Sequence, residues 1–99
     1  MLSIDIPEDQ VEEFCKKNLI KKFSFFGSVT RRDFGTESDI DVLVEFYADQ
    51  SPGFFGLARM RRDLSKILGD RKIDLLTPKG ISKYIRKEIL SSAIIQYAE

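Results

Sequence analysis

The sequence contains no histidine and a single cysteine. Without histidine, both the usual general base near neutral pH and the commonest metal ligand are missing. The lone Cys15 can make neither an intrachain disulfide nor a thiolate zinc cluster. Any metal chemistry therefore falls to carboxylates. An excess of one charge sign is also absent: 16 Lys and Arg balance 16 Asp and Glu, which excludes an overall basic field that draws nucleic acid or anionic membrane non-specifically. No apolar run approaches the ~20 residues of a membrane span. The opening Met1-Leu2-Ser3-Ile4-Asp5-Ile6-Pro7-Glu8-Asp9 is too acidic and too short in apolar character for a signal peptide, so a cytoplasmic protein is expected. No repeat, low-complexity tract or linker divides the chain, and the 99 residues are read as one domain, 1–99. What is present suffices to fold, because 42% hydrophobic residues with eight Phe can fill a core and 32% charged residues can solvate its surface.

Pro7 with Glu8 and Asp9 predicts a first helical turn, followed by Val11, Phe14, Cys15 and Asn18-Leu19 as an apolar stripe. Cys15 is read as a small core hydrophobe. Lys22-Phe23-Ser24-Phe25-Phe26 predicts a strand stopped by a turn at Gly27-Ser28, with Ser28 as N-cap of a short segment from Val29 to Asp33. Asp39 to Phe46 is the clearest strand. Its alternation puts Asp39, Asp41, Leu43 and Glu45 on one face and Ile40, Val42, Val44 and Phe46 on the core face. Phe54, Leu57, Met60, Leu64, Ile67 and Leu68 recur at helical spacing and predict a helix ended by Gly69. Arg71 to Thr77 predicts a third strand, and Ile81 to about Tyr97 one or two closing helices. The expected fold class is α/β (α+β), a small mixed sheet of three or more strands with helices packed on it.

Asp39 and Asp41 leave one face of a strand with Cβ atoms roughly 6–7 Å apart, a spacing that a hard divalent cation can bridge. Two anions on a strand rich in Ile, Val and Phe repel each other and lose hydration, and a bound Mg²⁺ removes that conflict. If the third strand neighbours the second, Asp74 joins them on the same face and makes a two-metal site feasible. Gly27 lets backbone approach a phosphate, and the Ser28 hydroxyl with the N–H groups of a following helical turn can hold phosphate oxygens. Together these groups fit phosphoryl or nucleotidyl transfer, in which no histidine is required. Gly-Ser-x10-Asp-x-Asp should occur by chance in roughly one random chain of this length in a thousand. By contrast, neither Gly27-Ser28 nor Gly53-Phe54-Phe55-Gly56 continues as a P-loop. Arg59, Arg61, Arg62 and Lys66 are read as a solvated helix face.

At these residues the sequence resembles the DNA polymerase beta-type nucleotidyltransferase superfamily, and in size and wording its minimal nucleotidyltransferase group. Phe26-Gly27-Ser28-Val29-Thr30-Arg31 parallels the family's aromatic-Gly-Ser-x-Ala-Arg. Glu37 to Phe46 parallels its Ser-Asp-x-Asp strand, and Lys72 to Thr77 its third-carboxylate strand. Arg32 departs from the pattern, standing where the family often has Gly. The resemblance implies that Asp39, Asp41 and Asp74 form a catalytic, Mg²⁺-binding site with Asp74 as base. It also implies that Gly27, Ser28 and Arg31 meet the triphosphate.

The group is usually paired with a HEPN-domain RNase toxin, in toxin–antitoxin systems where the antitoxin transfers AMP from ATP to a tyrosine of the toxin. The resemblance thus implies a protein adenylyltransferase with Mg²⁺ and ATP, and a HEPN-type toxin as acceptor and complex partner. No membrane or direct nucleic-acid contact is expected, and a homo- or hetero-oligomer is compatible. Two alternatives remain open: a binding module that neutralises its partner by occlusion, and a transferase acting on a small molecule. Phe54-Phe55 and the apolar segment from Ile89 to Tyr97 are candidate interface residues.

Overall fold

A computed structural model describes residues 6–27, 39–47, 52–78 and 81–98, apart from the side chains of Ile85 and Leu90. Helix α1 (Glu8–Lys17) begins after Pro7, with Glu8 and Asp9 in its first turn and Lys16 and Lys17 in its last, each sign complementing the helix dipole. Its buried stripe is Val11, Phe14 and Cys15. Burial, then the charge of Glu12, pushes the Cys15 thiol up to about 12, so it packs as the expected hydrophobe and is inert as a nucleophile. Leu19 does not continue the stripe. It lies beyond the helix at φ 58°, 47% exposed, because the chain reverses there to enter the sheet.

Strands β1 (Ile20–Phe26), β2 (Ile40–Phe46), β3 (Ile73–Leu76) and β4 (Ile94–Ala98) form one sheet in the order β3-β2-β1-β4. β2 runs antiparallel to β1 and parallel to β3, so the sheet is mixed as expected. Helix α2 (Phe54–Ile67) makes the crossover between the parallel pair, the connection such a pair needs. Leu64 is fully buried and Met60 nearly so, but Phe54 projects from the first turn at 83% exposure and does not share the core stripe. Gly69 (φ +82°) and Asp70 (φ +61°) reverse the chain into β3.

One face of the sheet, with Phe23, Phe25, Ile40, Val42, Val44 and Ile73, packs with α1 and α2 around Val11, Phe14, Cys15, Met60 and Leu64. The opposite face carries a smaller cluster of Phe26, Leu43 and Ile81, with Leu76, Ile89 and Ala93 against it. Helix α3 (Lys83–Ser92), capped where the Ser82 hydroxyl accepts the Tyr84 N–H at 3.3 Å, supplies part of that second layer.

The closing segment corrects the sequence reading. The helix ends at Ser92, Ala93 turns extended (φ −70°, ψ 143°), and Ile94–Ala98 pairs antiparallel with β1 as Phe23↔Tyr97 and Phe25↔Ile94. Ile94, Ile95 and Tyr97 are strand formers, and β1 would otherwise present an open edge to solvent. Among the described residues, no helix is long and apolar enough to cross a membrane.

Candidate active site

Asp41 is the second residue of β2 and Asp74 the second of β3, and the parallel pairing sets them directly side by side. Adjacent strands lie about 4.8 Å apart, so the two carboxylates leave neighbouring positions of the same face. The expected convergence of these two aspartates therefore depends on β2 and β3 being neighbours in this register. Asp39 stands one residue before β2 begins. On the other side of Asp41 the antiparallel partner is Phe26. The row Phe26, Asp41, Asp74 thus crosses three strands where the carboxyl end of β1 meets the amino ends of β2 and β3.

Gly27 follows immediately. At φ +73° it adopts a left-handed conformation that favours glycine, and a Cβ there would collide with the Asp41 carboxylate oxygen Oδ2 and lie 3.1 Å from Asp41 Cγ. The glycine thus lets backbone lie against the acidic group. Beyond the phosphate approach expected of Gly27, the fold gives it this contact with Asp41. The β1–β2 register that creates it joins residues separated by a long connection, and no local signal reports it.

The electrostatics follow from the placement. Asp41 is half-buried, and its carboxyl is raised above the ordinary aspartate value first by desolvation, then by the charge of Asp74, then by that of Asp39. Asp74 is exposed at the edge of the sheet. The donor set is all carboxylate oxygen, the chemistry of a hard divalent cation. The charge conflict on Asp41 is of the kind such a cation relieves, so these residues fit Mg²⁺. Among the described residues, no three ligating side chains already close around one point. What is assembled is a repelling pair with a third carboxylate beside it. Ser28 and Arg31, expected at the phosphates, lie outside the described residues, as does the segment Val29 to Asp33.

A nucleotidyltransferase-domain family model matches residues 8–96, a span that takes in the whole sheet and the acidic row. The chain belongs to that family. As a nucleotidyltransferase it is 40% identical over 74 residues to MJ1379, a candidate protein adenylyltransferase of Methanocaldococcus jannaschii, covering 74% of this chain and 73% of that protein. Among solved structures, a toxin–antitoxin complex with AMP-PNP superposes with a TM-score of 0.77 at 19% identity, covering 95% of this chain and 75% of that one. The complex of a tri-AMPylated Shewanella oneidensis HEPN toxin with its MNT antitoxin gives a TM-score of 0.68 at 18% identity, over 93% of this chain and 70% of that one. At such identities the two structures establish a shared fold, and the mixed sheet with helices packed on it, expected from the sequence, holds.

Proposed function

We propose that this nucleotidyltransferase, acting as a single domain over 1–99 in the cytoplasm, is the antitoxin of a toxin–antitoxin pair. In this reading it transfers AMP from ATP to a tyrosine of a HEPN-type toxin and so neutralises it. The observation that carries the reading is the in-register pair Asp41 and Asp74 with the Gly27 backbone laid against Asp41. Its support from relatives is the name of MJ1379 and the AMPylated toxin bound to its MNT antitoxin.

Asp39, Asp41 and Asp74 would hold Mg²⁺, which when bound neutralises triphosphate charge and makes the acceptor hydroxyl more acidic. In this reading Gly27, Ser28 and Arg31 would bind the triphosphate, and the absence of a side chain at 27 would admit phosphate oxygens next to the Asp41 carboxylate. Asp74, exposed on the edge strand, accepts the proton from the tyrosine Oη as that oxygen attacks the α-phosphorus in line. The Oη–Pα bond forms, the bond from Pα to the bridging oxygen breaks, and pyrophosphate leaves.

Mass spectrometry of a HEPN-type toxin co-expressed from the adjacent reading frame tests the proposal. The wild-type chain should add multiples of an AMP mass at tyrosine, and Asp41→Asn should add none. A toxin silenced with no gain in mass would replace the enzyme with an occluding binder.

A further inference from the structure

Strand β3 has β2 on one side and no described strand on the other. The Ile40 N–H donates to the Lys72 carbonyl at 2.9 Å, so even-numbered residues of β3 turn their backbone groups toward β2. By the alternation of a ladder, the N–H and C=O groups of Ile73 and Leu75 point to the open edge. Asp74 sits between them, and at this edge a group can reach its carboxylate without crossing the sheet.

Two hollows lie along the same edge, between β3 and α2. One, of about 190 Å³, is lined by Phe54, Leu57, Ala58, Arg61, Asp74 and Leu75. The next, of about 400 Å³, shares Arg61 and adds Arg62, Lys66 and Lys72 together with Asp70. Phe54, which lines the first, and its neighbour Phe55 are 83% and 85% exposed and meet edge-to-face with centroids 6.1 Å apart. Two large rings held in water without a structural partner are costly unless something covers them. None of Arg61, Arg62, Lys66 and Lys72 forms an ion pair with another described residue. The edge therefore reads, in order, as aromatic, then the catalytic-row aspartate, then cationic.

Building on the nucleotidyl-transfer reading, we infer that the groove between α2 and the open edge of β3 is the acceptor site, and that it takes an extended, acidic polypeptide segment. The segment's backbone pairs with Ile73 and Leu75, its carboxylates meet Arg61, Arg62, Lys66 and Lys72, and its acceptor ring rests by Phe54 within reach of Asp74. A polypeptide is favoured over RNA because a strand edge offers alternating donors and acceptors that another peptide backbone matches and a phosphate chain does not.

The test uses fluorescence anisotropy with a labelled random copolymer of Glu and Tyr, without nucleotide, compared with a Lys and Tyr copolymer and with poly(U). The wild type should bind the acidic copolymer best. Arg61→Glu combined with Arg62→Glu should weaken binding about tenfold or more, and Phe54→Ala severalfold. All three residues are exposed, so circular dichroism should find the variants folded. Asp41→Asn should bind the copolymer as the wild type does. That arm separates this inference from the catalytic one: a failure of nucleotidyl transfer leaves copolymer binding intact. Equal binding by wild type and double variant, or preference for poly(U) or the basic copolymer, would overturn the groove while leaving the acidic site untouched.

Discussion

The two faces of the sheet are built to opposite rules. On the face under α1 and α2 nearly every inward position is apolar and closed, from Phe23 and Phe25 through Val42 and Val44 to Leu64. On the other face the apolar cluster is small, and the row that begins with Phe26 runs into Asp41 and Asp74. Burial there raises the cost of a charge that the sequence nonetheless retains. The first face holds the fold, and the second spends part of that stability on a cluster of like charges. Stability and activity should therefore separate cleanly by face.

The sharpest way to break that comparison is Asp41→Asn. Removing the carboxylate that the proposed transfer needs should cut its rate by about 10²–10⁴, the scale of losing a positioned acid–base or electrostatic group. The thermal midpoint should hold or rise, because the neutral amide is spared the repulsion from Asp74 and Asp39. Transfer of labelled AMP together with a melting curve reads both. A variant that melts well below the wild type would mean that Asp41 is a structural residue. The converse substitution, Leu64→Ala, removes a fully buried side chain from the closed face. It should cost about 3 kcal/mol, within the usual 2–5 for such a cavity, and lower the midpoint by on the order of 10–20 °C. Transfer per folded molecule at low temperature should change little.

Gly27→Ala sits between these extremes, because it strains a left-handed backbone and displaces Asp41 at once. The strain should cost about 1–2 kcal/mol. Moving a reacting carboxylate by an ångström should lower transfer on the order of 10²-fold. A purely conformational role for the glycine predicts the stability loss alone, so the ratio of the two effects is the informative quantity.

The same division explains what was legible beforehand. Alternation along Ile40–Phe46 is a property of consecutive residues, so the core face and the Asp41 face could be read directly. Asp74 could be placed on a strand, but its position beside Asp41 depends on which strands pair and in what register, which is tertiary information. The closing strand is not legible in the sequence because Ile89, Leu90, Ile94 and Ile95 also fit a helical stripe. Pairing with β1 decides against it. Phe54 fits the period of α2, yet it precedes the first turn that reaches the sheet and stays in water.

The smallest effect is the most direct probe of the acidic face. In the folded chain the Asp41 carboxyl titrates above its ordinary value, while in the unfolded chain it does not. Between those two values the folded state keeps a proton that the unfolded state has released, so this group favours folding. The contribution is complete below the unfolded value and is lost as pH rises through the folded one. Above that window the ionised Asp41 is a standing cost. Carbon-detected NMR of the side-chain carboxyls should find the Asp41 midpoint raised in the metal-free protein. It should fall on Asp74→Asn and fall less on Asp39→Asn, following the order of the two charges. Adding Mg²⁺ should lower the midpoint further by supplying the opposite charge. An Asp41 that titrates at the ordinary value and ignores Asp74→Asn would mean that the in-register carboxylates do not feel each other. The contrast between a face built for packing and a face built for charge would then have no electrostatic basis.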